Sequence, residues 1–145
     1  MSTVFAATGL NLRPATPEDA RLLVALRNRL AEHFLSPQPA TVEKTMELLD
    51  DSLTYVLEVD GRFAGGFALY RRRGDRLEFG RFMIEPWAAG NGYGRLMLEF
   101  AIEEARRLGA RCLHLVTKPQ NAAAFALYED VGFRVTSMRM ELNLA

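Results

Sequence analysis

The chain has 145 residues, 49% of them apolar, and its 18 basic side chains balance 18 acidic ones, so the formal net charge is zero. One domain with a substantial core is expected at this size, and balanced charge without a long basic stripe argues against a nucleic-acid partner. Cys112 is the single cysteine, which excludes an internal disulfide, and the absence of a signal-like N-terminus or an apolar run of bilayer length points to the cytoplasm with no membrane partner.

A short strand is expected around residues 10–13. Thr16-Pro17-Glu18-Asp19 supplies a helix start, with a proline in the first turn and acids at the positive end. The stripe of Leu23, Leu26, Leu30 and Phe34 predicts a helix as far as Phe34, and Ser36-Pro37-Gln38-Pro39 breaks the chain. A second helix, capped by Thr41, carries Val42, Met46 and Leu49 on one face. Alternation through Tyr55, Leu57 and Val59 up to Asp60-Gly61, with a return from Phe63 to Tyr70, predicts a hairpin. The arginines at 71 to 73 turn the chain into a third strand ending at Ile84.

Residues 86–95, Pro-Trp-Ala-Ala-Gly-Asn-Gly-Tyr-Gly-Arg, lie between that strand and an amphipathic helix. Alternating glycines let main chain approach an anion, and the first free N–H groups of the helix point at the same place, so the loop reads as a pyrophosphate cradle. Arg95-Leu96 stands where a nucleotide-hydrolysing loop needs Lys and Ser or Thr, and a dinucleotide fingerprint would need glycine at position 95. The alternative is a tight turn that packs a helix on a strand.

Met97, Phe100, Ala101 and Ala105 share one face of the helix that follows, with Tyr93, Leu96 and Leu108. Glu103 is placed to pair with Arg107, and Gly109 ends the helix. A buried strand is expected over residues 111–117, then a short helix capped by Asn121 and closed by Gly132. Met138, Met140, Leu142 and Leu144 alternate in a final strand. The class is α+β, with helices on both faces of one sheet.

The strand end Phe82-Met83-Ile84-Glu85-Pro86, the glycine loop and the run from Asn121-Ala122-Ala123-Ala124-Phe125 through Leu127-Tyr128 to Gly132-Phe133 resemble the GCN5-related N-acetyltransferases. Leu12-Arg13-Pro14-Ala15 looks like the opening of that family, so the likeness spans nearly the whole chain as a single GNAT-like domain over residues 1–145. It implies a mixed, mainly antiparallel central sheet, acetyl-CoA as co-substrate without a metal, and acetyl transfer to an amine by direct attack. By this resemblance Ala89, Gly90, Asn91, Gly92, Tyr93, Gly94 and Arg95 hold the pyrophosphate. Main chain at Phe82, Met83 and Ile84 serves the thioester carbonyl and pantetheine arm, and Asn121 touches that arm. Tyr128 protonates the leaving thiolate.

Glu78 is the candidate base: it shares strand parity with Phe82, lies about 13 Å away at strand rise, and would act through a water. Its plain alternative is a solvated strand carboxylate. Tyr128 and Asn121 likewise have plain readings, as a half-buried helix residue and a helix cap. Two departures stand out. Ala89 replaces a common Arg or Gln, and Val116-Thr117 replaces the Glu-Val pair of members that acetylate protein N-termini.

The acceptor expected is a small-molecule amine, with Phe34, Tyr55 and Tyr70 shaping its pocket; Leu26-Arg27-Asn28 with Glu78-Phe79-Gly80 resembles amino-sugar acetyltransferases. A protein amine, or a CoA-binding regulatory module without turnover, are the alternatives. His33 and His114 lack ligand partners at metal spacing and read as structural. A homodimer through the final strands is the oligomer considered.

Overall fold

The protein is described from a computed structural model covering residues 3–5, 9–35, 38–71 and 73–145. Six strands lie in sequence order across one sheet: β1 (Thr3–Phe5), β2 (Leu10–Pro14), β3 (Leu53–Val59), β4 (Arg62–Arg71), β5 (Arg76–Ile84) and β6 (Cys112–His114). Neighbours from β1 to β5 run antiparallel, while β6 runs parallel to β5. The β3–β4 hairpin turns at Asp60 and Gly61, both in the left-handed region with φ of 50° and 78°, as its tight two-residue turn requires.

Helices α1 (Ala20–Arg29) and α2 (Val42–Asp51) cover one face. There Leu23, Leu26, Val56 and Met83 form a core, with Leu49 against it. Helices α3 (Tyr93–Arg107) and α4 (Ala122–Val131) cover the other, packing Met97, Leu98, Ala101 and Tyr128 on Leu57, Phe67, Leu69 and Phe79. The expected α+β class with helices on both faces is what the chain forms.

Several local expectations are corrected. The first helix ends at Arg29, and a 3-10 turn over Ala31–His33 carries the chain on toward Phe34. The break at Ser36-Pro37 and the middle arginine of the 71–73 turn, Arg72, lie outside the described residues. Thr41 caps α2 as expected, accepting from the Lys44 N–H at 3.2 Å, but Met46 is exposed and Thr45 is the residue turned inward. On α3, Glu103 pairs with Arg106 and Glu104 with Arg107, three residues apart, because Glu104 turns inward to accept the Tyr55 hydroxyl at 2.6 Å.

The strand expected over residues 111–117 is cut to Cys112–His114 and is only half-buried, since its neighbour β5 pairs with it at Arg76, Leu77 and Glu78 alone. Residues 138–144 are not a strand. Met138, Met140, Leu142 and Leu144 are 81–90% exposed, because an alternating pattern makes a strand only where another strand supplies its hydrogen bonds.

A polar knot joins the start of α1 to the sheet. Arg13 donates to both carboxylate oxygens of Asp19 at 2.8 Å and to Glu58 at 3.1 Å, and Asp19 also accepts the Thr16 N–H at 2.8 Å. Arg13 holds the buried Asp19 carboxyl below the usual carboxylate range. A depressed folded pKa stabilises above the unfolded value, and that contribution is lost as pH falls through the folded one. Asp19→Asn should therefore cost about 2 kcal/mol in urea unfolding at pH 7, with the gap to wild type closing as acid protonates Asp19.

Candidate active site

The strand β5 changes character halfway along. Ala68 pairs with Gly80 and Gly66 with Met83, so β5 carries an extra residue between these pairs. Arg81 sits in this bulge with φ of 50°, a left-handed conformation uncommon outside glycine and Asn. The bulge resets which face each residue meets. Phe79, Phe82 and Ile84 pack toward α3 and α4, whereas Met83 packs toward α1. Glu78, next to Phe79, therefore faces the α1 side. Contrary to the expectation from strand parity, Glu78 does not share a face with Phe82 and Ile84, because the extra residue inverts the alternation between them.

Beyond Glu78, β5 and β6 part. Glu78 is the last residue of β5 paired with β6, opposite His114, so the β5 edge from Phe79 to Ile84 has no strand beside it among the described residues. The widening gap leads to the glycine loop. Glu85 anchors the start of this loop: its N–H donates to Ala64 at 2.8 Å, and its buried carboxylate takes both arms of Arg29 from α1 at 2.9 and 2.8 Å. Asn91 braces the loop from inside, donating to the Ala88 and Ala89 carbonyls at 3.0 and 3.3 Å.

What this bracing exposes is a row of donors. The Ala89 N–H bonds Pro86 and the Leu96 N–H bonds Gly92, but the main-chain N–H groups of residues 90–95 take no acceptor among the described residues. Gly90 and Gly92 both have φ of 80°, and a Cβ at either position would meet nothing within 4 Å. A left-handed N-cap with open space above it and a helix dipole below has the donor geometry to receive an anion. The donor set fits the pyrophosphate of a CoA-type ligand.

The Arg95 side chain pairs with Asp130 and Glu99. Arg62 was not singled out in the sequence: its guanidinium carbon lies 4.1 Å from the ring centroid of Trp87 in the loop. Sequence spacing gives no sign of it, since strand pairing brings it there.

Tyr128, from α4, stands among Phe79, Phe82 and Phe133 and is 8% exposed. Burial pushes its phenol up to about 12, so it is protonated at neutral pH. On the α1 side, the Glu78 carboxylate lies 3.5 Å from Nε2 of His114, whose buried Nδ1 has no hydrogen-bond partner among the described residues. His114 was read as structural; the parallel register that sets it beside Glu78 is not visible in either segment alone. Tyr55 is not with Phe34 and Tyr70. It stacks on Phe67 beneath α3, and burial raises its phenol's pKa.

Asn121 precedes α4 but caps nothing with its side chain. Its amide instead donates to the His33 carbonyl at 3.1 Å and accepts from His33 Nδ1 at 2.7 Å, while Lys118 Nζ reaches the Glu32 carbonyl at 3.0 Å. These bonds tie the stretch after α1 to the loop after β6. Contact between the Asn121 side chain and a ligand in the gap would require them to exchange.

The anion seat yields a direct expectation. Gly92→Val places a branched side chain over the free N–H groups and should weaken acetyl-CoA binding at least about tenfold by isothermal titration. The same change at Gly74, also at positive φ in an open turn remote from the loop, should leave affinity unaltered.

The sequence model of the Acetyltransferase (GNAT) family matches residues 23–133. The chain is 33% identical over 87 residues to the ribosomal protein bS18 alanine N-acetyltransferase of Escherichia coli K12; that match covers 60% of this chain and 58% of the relative. It is 34% identical over 61 residues to an L-methionine sulfoximine/L-methionine sulfone acetyltransferase of Salmonella typhimurium, covering 42% and 36% of the two chains. In fold it is similar to a putative acetyltransferase of Salmonella typhimurium solved with its cofactor acetyl-CoA, with a TM-score of 0.79, 22% identity and coverage of 89% and 82%. The chain belongs to the acetyltransferase (GNAT) family.

Proposed function

We propose that residues 1–145 act as one acetyltransferase domain that passes the acetyl group of acetyl-CoA to an amine by direct attack in a ternary complex. The observation that carries this reading is the row of free N–H groups over residues 90–95, at the end of the gap between β5 and β6. Acetyl-CoA supplies a thioester whose carbonyl carbon the amine attacks, the C–N bond forming as the C–S bond breaks.

The chain's own residues supply the rest. The loop N–H groups bind the diphosphate, and the unpaired edge at Phe82, Met83 and Ile84 offers main-chain donors to the pantetheine arm and the developing oxyanion. Tyr128 holds a proton for the leaving thiolate. A phenol near 12 gives it up readily only to a thiolate desolvated in the same aromatic nest, because a free thiol sits near 8.5. On the α1 face, Glu78 with His114 takes the proton that the ammonium must lose before attack.

A small-molecule amine is the acceptor favoured here, in line with the amino-acid derivative named for the Salmonella relative. The name of the Escherichia coli relative supports a second reading, a protein amine. Thiol release measured with amino acids, amino sugars and an alanine-initiated peptide separates the two. Tyr128→Phe should lower kcat about 100-fold while acetyl-CoA affinity stays within twofold; unchanged kcat would remove Tyr128 as the acid.

A homodimer completes the proposal. Met138, Met140, Leu142 and Leu144 are exposed on a stretch of strand-like alternation, and the outer edge of β6 has no strand beside it among the described residues. A second copy offers both the edge and the stretch reciprocally. Replacing these four residues by Ser should convert a dimer to a monomer in sedimentation; a wild-type monomer would contradict it.

A further inference from the structure

Strand β5 gives way to the glycine loop at Glu85, whose main-chain N–H, carbonyl and carboxylate are all engaged. The N–H donates to the Ala64 carbonyl at 2.8 Å, the carbonyl accepts the Ala88 N–H at 2.9 Å, and the carboxylate takes both arms of Arg29 at 2.9 and 2.8 Å. Glu85 is 7% exposed, whereas the Arg29 side chain is about half-exposed. Arg29 is the last residue of α1, the helix on the opposite face of the sheet from α3. Its Nε donates to the Ala25 carbonyl one turn back at 3.3 Å, so its own helix sets the guanidinium plane that meets the carboxylate.

From Glu85 the bonds continue toward the start of α3. Ala88, which bonds Glu85 through its N–H, is buried, and its carbonyl accepts the Asn91 side chain at 3.0 Å. Asn91 precedes Gly92, the left-handed residue from which α3 departs. Position is therefore passed from Arg29 through Glu85, Ala88 and Asn91 to the N–H groups over residues 90–95. The loop does not fix it alone, since glycines at 90 and 92 leave its main chain other paths to take. A buried carboxylate is costly without its partner; deprived of Arg29 it must turn to water, and the residue that starts the loop turns with it.

We propose that Arg29 is a positioning residue for the acetyl donor: through Glu85 it holds the loop N–H groups where the diphosphate of acetyl-CoA meets them, without touching the cofactor. This inference rests on the reading of the loop as the diphosphate site. The effect is confined to one end of the ligand. Charged hydrogen bonds depend on direction, so a displaced loop start weakens the hold on the diphosphate. The main chain that faces the pantetheine arm lies upstream of Glu85, where Met83 and Ile84 pair with Gly66 and Gly65 of β4 whatever Arg29 does. The fork matters as well as the charge, because a lysine ammonium would not fix the plane of the carboxylate.

The test titrates the full chain with CoA by calorimetry and with pantetheine, which lacks the diphosphate, by amide chemical shifts. Arg29→Gln should weaken CoA binding about tenfold or more while pantetheine affinity stays within about twofold. Arg29→Lys should recover part of the CoA affinity. Glu85→Gln is the second variant should the first not fold: it leaves no buried charge unpaired, because Arg29 is half-exposed, and should show the same selective loss. With an amine that releases thiol, Arg29→Gln should raise KM for acetyl-CoA at nearly unchanged kcat and leave kcat/KM for S-acetylpantetheine unaltered.

CoA and pantetheine weakened alike, or CoA affinity unchanged in both Gln variants, overturns the positioning role and leaves acetyl transfer standing. The selective loss, seen without thiol release from any amine, upholds the positioning role and removes the acetyl-transfer reading. Wild-type protein that binds no CoA sinks both.

Discussion

Strand β5 has a full partner on one side and a partial partner on the other, and the site follows from that asymmetry. Against β4 it pairs along most of its length. Against β6 it pairs only at Arg76, Leu77 and Glu78 before the two strands separate. A buried strand edge without a partner leaves main-chain donors and acceptors that something must satisfy. Here the loss of sheet bonding leaves polar main chain along the wall of a gap whose far end is a row of helix-start N–H groups.

Three contacts hold this gap in shape from different parts of the chain. The Arg29–Glu85 pair ties α1 to the entrance of the glycine loop, so the two sides of the cleft share one anchor. The aromatic nest of Phe79, Phe82, Tyr128 and Phe133 closes it from the α4 side and supplies the low-dielectric surroundings that keep the Tyr128 proton on. The Asn121–His33 bonds join the two rims. A hollow of about 280 Å³ beside Tyr55, Glu104 and Arg107 is a separate feature at the C-terminal end of α3, remote from the loop that begins that helix.

The parts legible in the sequence are those fixed by local chemistry. Asp60-Gly61 supports the tight turn of the hairpin, and alternation through Tyr55 and Leu57 sets its strands. Gly90 and Gly92 occupy backbone conformations that other residues enter at a cost, so the loop declares itself. Thr41 caps α2 by a bond to a residue three places on. Each signal lies within one turn or one strand.

What was not legible depends on partners distant in sequence. Nothing in Gly80-Arg81-Phe82 announces a bulge, yet that one extra residue turns Glu78 to the opposite face from Phe82. Asn121 has the chemistry of a cap, but His33 claims its side chain from 88 positions away. Residues 138–144 have the pattern of a strand and lack a strand neighbour among the described residues.

The most direct test of the account is an amide chemical-shift titration of the isotopically labelled protein with acetyl-CoA. The largest changes should fall at residues 82–84 and 90–95, with β2 and β3 nearly unmoved. Changes centred instead on the hollow at Tyr55 and Glu104, or none along the open edge of β5, would contradict it.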